Sequence, residues 1–139
     1  MTTVTDVMTR DVRTLTSDST ITEAARAMEE LDVGVIPVCD GDKLLGMVTD
    51  RDIVVRAVAQ GLDGNTPLAK VMSTDVRTAR ETDDLDTVLA DMASSQIRRL
   101  PVLDGSERLV GIVSIGDIAV KGQDEEDVGQ SLADISAPA

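Results

Sequence analysis

Four consecutive residues, Thr49-Asp50-Arg51-Asp52, place a hydroxyl, two carboxylates and a guanidinium where an apolar run gives way to a helical pattern. A strand-to-helix junction gathers unpaired backbone N–H groups and the positive end of the helix dipole, which suits a phosphate. A carboxylate three residues past a hydroxyl lies on the same side of the first turn, and a carboxylate can accept from the paired hydroxyls of a ribose. Arg51 is placed to clamp an anion with two hydrogen bonds, although a surface ion pair would use it equally well. Ser114-Ile115-Gly116-Asp117 repeats the hydroxyl and the carboxylate but has no arginine, so the two sites should not be equivalent. Arg98 or Arg99 is the substitute cation available to that copy, and the copy keeping Arg51 beside Thr49 and Asp52 is expected to be the stronger anion site. Without a ligand, Thr49, Ser114, Asp52 and Asp117 would serve as caps of their helices, a role compatible with binding.

The elements that must hold these residues occur twice. A shift of 64 positions aligns Val7-Met8 with Val71-Met72, Asp11–Thr14 with Asp75–Thr78, Met28 with Met92, and Pro37-Val38 with Pro101-Val102. After one inserted residue in a turn, Gly46, Val48 and Asp52-Ile53 align with Gly111, Val113 and Asp117-Ile118. Each copy reads as a short opening segment, an extended piece (Val12–Leu15; Val76–Arg80) and an amphipathic helix. In the first copy that helix follows the capping box Thr20-Ile21-Thr22-Glu23, with Ile21, Ala24, Ala25, Met28 and Leu31 on its apolar stripe. In the second, Thr82-Asp83-Asp84 offers caps for a helix through Leu85, Val88, Leu89 and Met92. Two strands around a tight turn come next (Val33–Cys39 and Leu44–Thr49; Ile97–Leu103 and Leu109–Ser114), and then a second helix, Asp50–Gln60 or from Ile115 onward. The fold class is α+β: two pseudo-symmetric β-α-β-β-α repeats packed sheet to sheet, since about 60 residues alone make a marginal core. The expected divisions are 1–64, 65–122 and an acidic tail, 123–139.

Composition removes several functions. The 139 residues contain no His, Phe, Tyr or Trp and carry a formal charge of −13. Triads built on His and His-containing zinc sites are excluded, as is stacking of bases on aromatic rings, and the charge would repel a duplex. No nucleophile–base pair or metal-ligand set is visible, so no enzyme, no metal and no nucleic-acid partner are expected. No apolar run approaches a membrane span and no signal peptide is apparent, so neither membrane association nor export is expected. The lone Cys39 points to a cytoplasmic protein and reads as a small buried hydrophobe; Met28, Met47, Met72 and Met92 read as core fillers. The excess of Asp suggests adaptation to high salt, where a Debye length of about 3 Å at 1 M screens self-repulsion. Folding should then strengthen with salt, and circular dichroism showing full, salt-independent folding in dilute buffer would exclude that reading.

Residues Thr5 to Gly122 resemble a tandem cystathionine-β-synthase (CBS) domain pair, the Bateman module. The resemblance rests on Gly34-Val35-Ile36-Pro37-Val38 and Ile97-Arg98-Arg99-Leu100-Pro101-Val102, on Gly-hydrophobic-Val-[Thr/Ser]-x-x-Asp ending in Asp52 and Asp117, and on the openings Asp-Val-Met-Thr and Lys-Val-Met-Ser. It implies a regulatory module that binds AMP, ADP, ATP or S-adenosylmethionine in the cleft between repeats, needs no other cofactor, forms a homodimer and signals to an effector protein. It also implies that Asp52 and Asp117 accept from ribose and that Thr49 and Ser114 donate to phosphate. The segments before Pro37 and Pro101, with Gly34, Ile36, Ile97 and Arg99, would line the adenine pocket, and Thr14, Thr78 and Arg51 complete the implied set. Pro37 and Pro101, lacking an N–H, suit open strand edges where a ligand could lie. The alternative is an assembly scaffold whose cleft is empty or holds only a metal.

Overall fold

The computed structural model describes residues 2–116 and Ile118. Helix α1 (Ile21–Leu31), the antiparallel strands β1 (Val35–Asp40) and β2 (Lys43–Thr49), and the helical run opening with α2 (Asp50–Asp52) belong to one compact unit, Arg13–Val76. Strand β3 (Ala79–Arg80), helix α3 (Leu85–Ser95) and the antiparallel β4 (Arg99–Leu103) and β5 (Leu109–Ser114) belong to the other, in which β3 lies parallel to β4. The mixed α+β class with two small sheets is as expected. The equivalence of the copies extends to their irregularities. Register slips between Val38 and Cys39 and again between Val102 and Leu103, and each first helix ends on a left-handed residue, Asp32 or Gln96. The inserted residue falls in the second hairpin turn, Asp104–Arg108, where the first hairpin turns more tightly about Gly41 at φ +63°.

The compact units do not follow the repeat boundaries. Residues up to Val12 belong with the chain from Arg77 onward, and the second repeat's opening, through Val76, belongs with the first repeat. Val4, Val7 and Met8 are buried against Leu85, Val88, Leu89, Met92, Leu100, Val102 and Val113. Leu68 and Val71 are buried among Ile21, Ala24, Met28, Ile36, Val38, Val48 and Ile53. Each opening segment also caps the helix it packs on, because the first N–H groups of a helix have no partner within it. Ile21 N donates to Thr66 O and Thr22 N to Gly64 O; Leu85 N donates to Thr2 O. Finally, each segment adds one rung to a sheet edge: Ser73 exchanges two hydrogen bonds with Met47 of β2, and Thr9 exchanges two with Ile112 of β5. The glycines beside those rungs permit the approach. A Cβ on Gly46 would overlap the Ser73 carbonyl oxygen, and one on Gly111 would lie 2.7 Å from the Thr9 carbonyl oxygen.

On α1 the buried stripe is Ile21, Ala24, Ala27 and Met28; Ala25 and Leu31 are exposed, which corrects the expected stripe by one alanine and one leucine. Thr20 caps this helix by accepting from Glu23 N. Asp84 occupies the equivalent position of α3 without a side-chain cap, and Asp83 instead accepts from Arg80 N at 2.8 Å. Met28, Met47 and Met92 are buried and Met72 is half-buried. Cys39 is buried in β1, where burial first, and then the charge of Asp42, raise its thiol pKa.

The second hairpin turn is tied by Asp104, whose carboxylate accepts from Ser106 N, Arg108 N and Arg108 Nε at 2.8 to 3.0 Å. Those bonds, the one from Arg108 N foremost, hold its pKa below the ordinary carboxylate value. A depressed carboxylate stabilises the fold above its unfolded pKa of about 3.9 and loses that contribution as pH falls through the folded value. The melting-temperature gap between the native protein and Asp104→Ala should therefore be constant near neutrality and close in acid, as thermal melts across pH will show.

Candidate functional site

The hairpin register assembles the predicted residues of the first copy at one end of β1 and β2. Val35 stands opposite Thr49, and Gly34 O accepts from Asp50 N at 2.9 Å, so the Gly34 backbone lies against the start of the helix. Thr49 and Asp52 form a reciprocal capping box: Asp52 N donates to Thr49 Oγ1 and Thr49 N donates to Asp52 Oδ2, each at 3.0 Å. The capping role of both residues is thus realised. Asp52 Oδ1 makes no hydrogen bond among the described residues, which leaves an acceptor at the mouth of the junction. Arg51 is exposed and makes no ion pair among the described residues.

From Asp50 the chain stays helical to Gln60, but its hydrogen bonding widens to a π-turn over Ile53–Ala57 and tightens to 3₁₀ over Val58–Gln60, before Gly61 ends it at φ +74°. The span matches the expected helix; the π segment is a departure that apolar spacing does not reveal. It buries Ile53 and Ala57, while the Arg56 guanidinium donates to the Val71 and Met72 carbonyls at 3.1 Å. Val54, Val55 and Val58 remain exposed, Val58 to 67%.

The remaining predicted residues of this copy divide. Thr14 is half-buried, one residue before Leu15. Ile36 is 1% exposed and sits in the aliphatic core, so its side chain serves packing. Pro37 is not on an open edge. Leu15 N donates to Pro37 O and Cys39 N donates to Leu15 O, so Leu15 covers the side of β1 away from β2. A strand residue points its nitrogen and carbonyl to the same side. The prolyl nitrogen therefore faces the Leu15 side, and no β1–β2 rung is lost. Pro101 is likewise buried in β4, beside the β3 pairing, so the open-edge expectation fails in both copies.

The second copy repeats the frame with other side chains. Arg99 stands opposite Ser114, and Ile115 N donates to Arg98 O at 3.0 Å, matching the Asp50–Gly34 bond. Arg98 and Arg99 are exposed, Ile97 is half-buried against the core, and Thr78 is exposed one residue before β3. Asp117 lies outside the described residues, as does the chain beyond Ile118, including the tail expected from 123. Sequence reasoning counts Asp50 among the junction's carboxylates but gives it no role. Its carboxylate sits over Gly34, where a Cβ would lie 3.0 Å from Oδ2, and accepts from Arg51 N through Oδ1 at 2.8 Å. The signal was an acid immediately after the capping hydroxyl.

No helix among the described residues is long and apolar enough to cross a membrane, and no cluster of three or more His, Cys, Asp or Glu residues there is arranged to hold a metal.

Comparison with known proteins accounts for this frame. The CBS domain family profile matches residues 4–58 and again 68–122. The chain is 46% identical over 136 residues, 98% of its length and 96% of the relative's, to the CBS domain-containing protein YhcV of Bacillus subtilis. Among solved structures, Hypoxic Response Protein I with two coordinated zinc ions is 40% identical, with a TM-score of 0.77, over 86% of this chain and 98% of that one. The CBS domain pair of protein MJ0100, in complex with 5'-methylthioadenosine and S-adenosyl-L-methionine, is 33% identical with a TM-score of 0.74, over 86% and 98%. The doubled frame of matched hairpins is that of two CBS domains in tandem, and the chain belongs to the CBS domain family.

Proposed function

We propose that the protein is a cytoplasmic regulatory module, not an enzyme, that binds an adenosine-containing ligand such as AMP, ADP, ATP or S-adenosylmethionine and passes its occupancy to an effector protein. The observation that carries this reading is the Thr49–Asp52 capping box, which holds a carboxylate at the junction while leaving Asp52 Oδ1, without a hydrogen bond among the described residues, as an acceptor for ribose hydroxyls. The MJ0100 domain pair, of the same family, holds two adenosine compounds, which supports the ligand class. A ligand shifts the module only by the difference in its affinity for two arrangements, so the readout is a population change.

Calorimetry in potassium chloride buffer against AMP, ADP, ATP, S-adenosylmethionine and NAD tests the reading; no heat and no thermal shift with any of them removes it. Asp52→Ala should weaken binding about 10- to 100-fold, the range for losing charge-assisted hydrogen bonds worth about 1.5–3 kcal/mol. Asp52→Asn keeps an acceptor for Thr49 N–H, so comparing its stability with that of the alanine variant separates lost binding from a lost cap.

A second reading, an assembly scaffold, is favoured by the exposed Val54, Val55, Val58 and Leu62. Four large apolar side chains on and just past one helical run suit a homodimer surface. A scaffold would keep its dimer in Asp52→Ala and bind no nucleotide in either form, as light scattering and calorimetry together would show. The zinc ions of Hypoxic Response Protein I do not transfer readily, because this chain has no His and its one Cys is buried.

A further inference from the structure

An aspartate followed by glycine is the place where a backbone nitrogen most readily attacks the side chain before it, because glycine has no Cβ to crowd the approach. The chain has three such pairs, Asp40-Gly41, Asp63-Gly64 and Asp104-Gly105, and each opens a turn. The fold treats them differently.

Two are tied down. The Asp104 side chain is only 12% exposed, and its carboxylate accepts from Ser106 N, Arg108 N and Arg108 Nε. Those bonds favour the anion, which is a poorer electrophile than the neutral acid. Asp63 Oδ1 accepts from Asn65 N at 2.8 Å, and the Gly64 carbonyl accepts from Thr22 N and Thr22 Oγ1 at the start of α1. A Cβ on Gly64 would overlap Thr22 Oγ1, so that peptide has no room to turn.

Asp40-Gly41 has none of these restraints. The Asp40 side chain is exposed and makes no hydrogen bond or ion pair among the described residues. The Gly41 N–H donates to none of them either, and beyond its chain neighbours nothing lies within 4 Å of where a Gly41 Cβ would stand. Asp40 pairs with Lys43 in the last rung of the β1–β2 ladder, and the end of a ladder opens at little cost. Fraying of that rung frees Asp40 to rotate its carboxyl group toward the glycine nitrogen.

We propose that Asp40 is a site of spontaneous isoaspartate formation, and that the fold confines this chemistry to the tip of the β1–β2 hairpin. The Gly41 nitrogen bonds to Asp40 Cγ, the amide proton and the carboxyl hydroxyl leave as water, and a five-membered succinimide closes. Water then opens the ring at either carbonyl. Attack at Cγ restores aspartate; attack at the α-carbonyl routes the main chain through Cβ and Cγ and leaves the α-carboxylate free. The partner that such a carboxylate fits is a methyltransferase using a sulfonium methyl donor. The methyl ester it makes recloses to the succinimide with loss of methanol, and hydrolysis returns part of the chain to aspartate.

The test ages the native protein and Asp40→Glu for weeks in warm potassium chloride buffer, with thermal melts confirming that both are folded, beside a sample of the native chain kept in urea. An isoaspartyl methyltransferase with a radiolabelled methyl donor then marks isoaspartate, and peptide mapping locates the label. In the folded protein the Asp40-Gly41 peptide should carry severalfold more label than either other Asp-Gly peptide, whereas in urea all three should be labelled comparably. Asp40→Glu, whose longer side chain closes only a less favoured six-membered ring, should stay at background at that position. Label appearing first at Asp63 or Asp104 in the folded protein overturns the proposal. A folded protein that takes no label overturns it too, as does one labelled in the same pattern as the urea sample.

Discussion

Gly46→Ala should destabilise the protein by about 3 kcal/mol, the upper end of what overpacking a well-filled interior costs. The added methyl group has nowhere to go. It points at the Ser73 carbonyl, with the Thr74 Cα 3.4 Å away, and Ser73 is fixed by two hydrogen bonds to Met47, the next residue of the same strand. Relief requires breaking that rung or shifting β2, which also carries Thr49. Denaturant unfolding should therefore show a lower midpoint with an unchanged slope, and any ligand response should weaken with it. Gly111→Ala meets Met8 Sδ at 2.8 Å as well as the Thr9 carbonyl oxygen, and the thioether is flexible enough to move. Its loss should be the smaller of the two. Equal stability of native protein and Gly46→Ala would mean that the crossing segment is not held against β2.

Val7→Asp should have a still larger effect, and a local one. Val7 is 1% exposed and packs among Leu85, Leu89, Leu100 and Val102, so a carboxylate there must be buried without a partner or drive the segment out. Either outcome costs about 3–5 kcal/mol. The damage should fall on the unit containing Arg77 onward, although the mutation lies in the first repeat by sequence. Hydrogen exchange should show amides of β4 and β5 losing protection while those of β1 and β2 keep theirs. Uniform loss would show that the two units unfold together; loss confined to β1 and β2 would contradict the observed packing.

The architecture was legible because two copies vouch for each other. Hairpins, helices and the inserted turn residue all appear in the alignment of the chain with itself, and the hydroxyl and carboxylate of the junction stood out for the same reason. What could not be read was anything decided across distance in sequence. Val4, Val7, Leu68 and Val71 follow an apolar pattern equally suited to packing on either repeat; only the fold shows that they serve the other one. The prolines were placed at open edges because a missing N–H is visible in sequence, whereas Leu15 arriving alongside Pro37 is not. Ala25 was preferred to Ala27 because alanine spacing barely constrains helix phase. Arg51 drew attention as the only base in its motif, and the acid beside it, already holding the arginine's own N–H, went unweighed.

The exchange of opening segments sets an order of events on the ribosome. Arg13–Val76 is one continuous stretch that contains everything its unit needs, so it can close as soon as it emerges. Val4, Val7 and Met8 emerge before that stretch but must wait, because Thr9 finds its strand only when Ile112 has been made. Chain closure over so long a separation is slow, and exposed valines are prone to wrong partners in the interval. The polar, threonine-rich stretch Thr2-Thr3-Val4-Thr5-Asp6 is then suited to a segment that is made well before its strand partner and docks late.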